Sequence, residues 1–193
     1  MRFAVAAVLL LGVGVGCDDD DAPAARPAPA PPPRMQFNVA EERLAAPVVV
    51  DVAGGTLEVR APTTWAHLPA AALGDDREVV DNWLSSEGGT LVVANVPAGG
   101  LPTSTHAGVE VREGRFDLNG IAIEQRLTTG EGRAAFLILF PPAPDGRRAS
   151  AEVAAPQEHY ARLLVDIESI LGSLRFTPHL PALTTPAASD SPT

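Results

Sequence analysis

The stretch from residue 108 to residue 155 constrains the fold more than any other part of the chain. In NGIAIEQRLTT (119–129), Ile121, Ile123, Gln125 and Leu127 alternate with Ala122, Glu124, Arg126 and Thr128. A period of two puts the first set on one, largely apolar, face of a strand and the second on a mostly polar face. The turn GEGR then leads into AAFLILFPP (134–142), and APDG leads into RRASAEVAA (147–155). Strand-like runs joined by short glycine-containing turns predict a three-strand antiparallel meander. GVEVRE (108–113) adds a short strand ahead of it.

The remaining runs extend this frame. PVVVDV (47–52) and TLEVR (56–60) flank Gly54-Gly55 and read as a hairpin, or as one strand with a break. PTTWAHLP follows as a loop carrying Trp65 and His67, and Trp65 reads as a core plug for the end of the sheet or as an anchor for a partner. GDDREVVDNWLSSEGG (74–89) predicts a helix, capped by Asp75 or Asp76 with Glu78 at capping-box spacing from Asp75. Its apolar face is Val79, Val80, Trp83 and Leu84, and Gly88-Gly89 ends it. TLVVANVP (90–97) is a nearly continuous apolar run, as for a buried strand.

The final segment PQEHYARLLVDIESILG (156–172) predicts a second helix, with Pro156 in its first turn and Gly172 at its end. Tyr160, Leu163, Leu164, Ile167, Ile170 and Leu171 form its apolar stripe, and SLRF (173–176) returns as a strand. The expected class is α+β, an antiparallel sheet covered by helices.

Two proline-rich segments bound this domain. Residues 18–34 show no apolar periodicity, and Pro23, Pro27, Pro29 and Pro31 to Pro33 favour polyproline II. At ~3.1 Å per residue such a tether spans about 50 Å. Asp18 to Asp21 would repel anionic headgroups beside an anchor. From Pro178 the chain is rich in Pro, Thr, Ser and Ala and reads as a disordered tail. The expected organisation is a signal peptide (1–16), a lipidated Cys17 with an Asp/Pro-rich tether (17–36), one globular domain (37–177) and a tail (178–193).

The address lies at the N-terminus. Arg2 precedes an apolar run over residues 3–15, too short at ~1.5 Å per residue to cross a ~30 Å hydrocarbon core. This is the pattern of a secretory signal peptide. Cys17 is the single cysteine, so a disulfide within the chain and a thiolate metal cluster are both excluded. Gly14, Val15, Gly16 and Cys17 resemble the end of a bacterial lipoprotein signal peptide. Val15 and Gly16 fit the last two lipobox positions, and Gly14 departs from the aliphatic residue usual at its place. The resemblance implies that Cys17 becomes the mature N-terminus and carries acyl chains, palmitate among them. Stable anchoring takes more than one chain. It places the domain in the envelope, facing the periplasm or the cell exterior. Asp18 resembles an inner-membrane retention signal of some diderm bacteria, and both inner and outer membrane stay open.

A second resemblance concerns the domain. LEVRAPTTW (57–65) and the unit from Tyr160 to Phe176 resemble the PsbP-like group of α/β/α sandwich proteins. The group holds exported bacterial lipoproteins of unknown role and a photosynthetic extrinsic subunit. It shares no catalytic motif, so the resemblance implies the fold and a non-enzymatic default.

Charge and residue types narrow the chemistry. The net charge is −10, and all 14 basic residues are Arg. An acidic chain lacks the basic surface that nucleic acid requires. Without Lys there is neither a phosphate loop of the G-x-x-x-x-G-K-[ST] kind nor a Schiff-base amine. His67, His106, His159 and His179 show no metal-ligand spacing. Ser104 and His106 with a distant Asp would make a hydrolase pair, but no G-x-S-x-G elbow surrounds them. The carboxylate pairs Glu41-Glu42 and Asp75-Asp76 read as solvated residues and a helix cap.

No catalytic, cofactor or metal residue is assigned, and Cys17 is the one functional position. The expected function is a membrane-anchored envelope lipoprotein, a non-catalytic accessory module for another envelope protein. The alternatives are a small-molecule or lipid-binding module and, behind it, a hydrolase.

Overall fold

The computed structural model describes residues 30–68, 77–97 and 109–179. In chain order the strands are β1 (Val48–Val52), β2 (Gly55–Val59), β3 (Ala66–Leu68), β4 (Glu78–Leu84), β5 (Thr90–Val96), β6 (Glu110–Leu118), β7 (Ile121–Gly130), β8 (Arg133–Pro142) and β9 (Arg148–Pro156). The helix α1 (Tyr160–Ser173) and the strand β10 (Arg175–Pro178) follow. They form a three-stranded sheet in the order β1-β2-β10 and a seven-stranded sheet in the order β3-β4-β5-β9-β8-β7-β6. All pairs within both sheets are antiparallel.

The expected meander is present as β7-β8-β9, and β6 extends it by one strand. Its turns explain the register. Asn119 (φ 54°) and Gly120 (φ 88°) join β6 to β7, and Glu131 (φ 50°) and Gly132 (φ 74°) join β7 to β8. Two consecutive residues at positive φ give the turn whose twist matches flanking strands. β1 and β2 form the expected hairpin, with Val52 opposite Gly55.

The predicted helix over residues 74–89 is a correction. Its described part is β4, paired with β5 so that Trp83 faces Leu91, while Asp75 and Asp76 lie outside the described residues. Val79, Val80, Trp83 and Leu84 suit a helical face, but they also suit a strand once a bulge intervenes, and the register shifts between Val79 and Asp81. Val and Trp favour a pleated, half-buried surface, and pairing with β5 decides the matter. Gly88 (φ 79°) belongs to the β4–β5 turn rather than to a helix stop. A sheet covered by helices thus becomes, among the described residues, a sheet-dominated domain with one α-helix.

That helix also differs in detail from its reading. Pro156 closes β9 instead of opening α1, and Gly172 lies inside α1. α1 packs on β9 and β2. Ala149, Ala151 and Ala155 of β9 are fully buried and small, which brings the helix close to the sheet. Leu163, Ile167, Ile170 and Leu171 meet Leu57, Val59, Leu91, Val93, Val153 and Ile138 in one core. Phe140 and Phe176 stack within it, centroids 4.9 Å apart. Leu164, assigned to the apolar stripe, is exposed. A second face of the helix carries Asp166, Ser169 and Gly172, and the chain from Phe37 to Arg43 straps across it. Ala40 N–H donates to Ser169 Oγ (3.0 Å). A Cβ on Gly172 would lie 2.5 Å from Val39 Cγ2 and 2.9 Å from Phe37 Cβ.

Tyr160, the single tyrosine, opens α1 half-buried. Burial first, and the charge of Glu168 second, raise its phenol above the ordinary 10.0. A proton held more tightly by the folded state stabilises it below the unfolded value, and that contribution is lost as pH rises through the folded value. Absorbance titration at alkaline pH is expected to give a phenolate midpoint above that of free tyrosine. Tyr160→Phe is expected to flatten the fall in melting temperature above about pH 10.

Candidate functional site

The described side chains with the most distinctive chemistry sit at the β3 edge of the large sheet. Register places His67 opposite Trp83. Their rings stack with centroids 4.8 Å apart and an interplanar angle of 12°. Asp81, two residues before Trp83 on the same strand, shares its face, and its Oδ1 lies 2.5 Å from His67 Nε2. The Asn82 backbone N–H donates to the same oxygen (2.9 Å). Asp81 is buried, while the His67 side chain is 52% exposed. The carboxylate and the indole together fix the imidazole plane, and the second ring nitrogen is left to act as a base, a donor or a ligand from one side. Among the described residues no nucleophilic side chain completes this pair.

The sequence held a signal for the pair that the helical reading hid. In a helix Asp81 and Trp83 stand about 200° apart, whereas in a strand they point the same way. His67 was read as a loop residue and is a strand residue.

Behind this edge lies a buried polar cluster. Trp65 is core, and its Nε1–H donates to Asp166 Oδ2 (3.2 Å). Arg43 Nη2 lies 3.1 Å from Asp166 Oδ1, close enough for an ion pair but not aligned as a hydrogen bond, so that oxygen has no hydrogen-bond donor.

The other residues singled out from sequence are dispersed. Cys17, Ser104 and His106 lie outside the described residues. Glu41 and Glu42 fall in a 3-10 turn, and Glu41 pairs with Arg60. His159 Nδ1 lies 2.8 Å from the Glu87 carbonyl at the start of α1. The His179 N–H donates to the Gly54 carbonyl (2.9 Å). Arg147 pairs with Asp145 (2.7 Å), and that hydrogen bond holds the exposed Asp145 carboxyl below its usual range. Arg148 pairs with Glu124 (2.7 Å), and Arg112 with Glu110 (2.7 Å). Among the described residues no three His, Cys, Asp or Glu side chains gather to hold a metal ion.

On the sheet face turned away from α1, a groove of about 370 Å³ runs over β6, β7 and β8. The backbones of Gly114 and Gln125 form its floor, because Gly114 has no side chain and that of Gln125 points to the opposite face. Glu113 and Arg126, joined at 2.7 Å, form one wall, and Arg115 and Glu124, 3.6 Å apart, the other. The groove is lined by paired charges. An apolar ligand would have to desolvate them.

No family model matches this sequence, and no curated protein matches it. The solution structure of cyanobacterial PsbP (CyanoP) from Synechocystis sp. is similar to this chain at 9% identity, covering 81% of this chain and 100% of that one with a TM-score of 0.41.

Proposed function

We propose that this chain is exported, acylated on Cys17 and held at a membrane, and that its domain is a non-catalytic accessory module that engages another envelope protein. The observation that carries this reading is the way the domain takes hold of the chain arriving from the tether. The Pro33 carbonyl accepts from Asp117 N–H and Met35 N–H donates to the Asp117 carbonyl, both at 2.9 Å. Hydrogen bonding to the domain is thus already in place at Pro33, ahead of residue 37. Phe37, Val39 and Ala40 then press on Gly172 and Ser169, and Arg43 reaches Asp166. A pull on the N-terminus is shared between a strand of the large sheet and the core helix, which suits a domain suspended from its first residues.

The test is metabolic labelling with a radioactive fatty acid. The wild-type chain is expected to take up label and sediment with membranes. Cys17→Ala is expected to lose the label and appear in the soluble fraction. Equal labelling of the two would overturn the anchor.

A further inference from the structure

The long edge strand β6 (Glu110–Leu118) pairs with β7 along its length. On its other side, among the described residues, Asp117 alone is used, by Pro33 and Met35. Backbone groups alternate in direction along a strand. Since Asp117 turns its N–H and C=O away from β7, Val111, Glu113 and Arg115 do so as well. Those outward groups have no partner among the described residues. An edge that the described residues leave open over this length is a template for an added strand, and residues 33–35 already add to one end of it through a parallel bridge.

The side chains along the edge set what fits. Glu113 and Arg115 lie on the groove face, and their side chains are 57% and 82% exposed. Gly114 lies between them and points to the other face, where the Phe116 ring covers the space its Cβ would fill (2.5 Å to Cε2). The groove face of the edge therefore offers an acid and a base two residues apart. Opposite charges directly across a strand pair attract and like charges repel.

We propose that β6 is the docking edge for an extended segment of a partner protein, added antiparallel, with an acidic residue opposite Arg115 and a basic residue two positions later opposite Glu113. This deepens the reading of the domain as an accessory module and rests on it. A second copy of this chain fits less well. The antiparallel register that matches Glu113 with Arg115 of the copy also sets Val111 against Asp117, whose outward groups Pro33 and Met35 occupy.

The experiment is amide hydrogen exchange and titration on the detergent-solubilised full chain with a capped peptide of about eight residues. The peptide is built from Val and Thr with Glu two positions before Arg. It is expected to slow exchange at Val111, Glu113 and Arg115. The peptide with Glu and Arg interchanged is expected to bind about tenfold more weakly, and the double variant Glu113→Arg, Arg115→Glu to reverse that preference. Glu113→Pro removes an outward N–H and no bond to β7, so it is expected to abolish binding while the chain stays folded. Equal binding of the two peptides overturns the proposal, as does protection confined to other amides. Protection of the same amides that grows with protein concentration and without peptide also overturns it, in favour of a second copy. None of these readouts involves the acyl group, so failure of strand addition and failure of anchoring are told apart.

Discussion

Asp166→Ala is expected to lower stability by about 3 kcal/mol, the range for removing one member of a buried charged pair, discounted because Arg43 is half exposed. The carboxylate serves the Trp65 indole N–H and the Arg43 guanidinium at once. Alanine leaves the indole N–H unpaired in the core and opens a void beside it. For a domain of this size that is a drop of about 10 °C in melting temperature. Asp166→Asn keeps an oxygen for the indole but gives up the charge and turns an amide NH2 toward the Arg43 guanidinium, so about 2 kcal/mol is expected. Differential scanning calorimetry of the two variants separates the contributions. A loss below 1 kcal/mol for alanine would mean that Trp65 is held by packing alone.

Gly172→Ala tests the strap. In an isolated helix this change stabilises by about 1 kcal/mol. Here it is expected to destabilise by about 2 kcal/mol, because the new methyl meets Val39 and the backbone-proximal Cβ of Phe37 at distances no real Cβ contact shows. The sign is the readout. Pairing it with Val39→Ala, which clears the 2.5 Å contact, should recover part of the loss, and a double-mutant cycle would give a coupling of about 1 kcal/mol. A stabilised Gly172→Ala would show that the strap yields without cost.

These residues also show how far the sequence can be read. The β7–β9 meander was legible because strand period and turn chemistry are local, while β6 was read only as the short run 108–113 and extends to Leu118. Ile121, Ile123 and Leu127 alternate with polar residues, whereas Asn119 and Gly120, read as the start of that strand, form the β6–β7 turn at positive φ. α1 was legible from its apolar stripe, though not its ends. Pro156 fits the end of a strand as well as the first turn of a helix. β4 was misread because one spacing of Val79, Val80, Trp83 and Leu84 satisfies both a helical face and a bulged strand. That error concealed the His67–Asp81 pair.

By itself the sequence determined the local matters: a lone cysteine behind an apolar run, a proline-rich approach, period-two strands with glycine turns, and one amphipathic helix. Each is set by residues within a few positions of one another. The tertiary structure alone decided which partner each segment met. β4 became a strand because β5 offered it backbone groups. Trp65 found its acceptor 101 residues away on α1. Gly172 proved to be a crossing point rather than a stop. The anchor proposed at Cys17 rests on the sequence, and what supports it in the fold is the grip of β6 and α1 on residues 33–43.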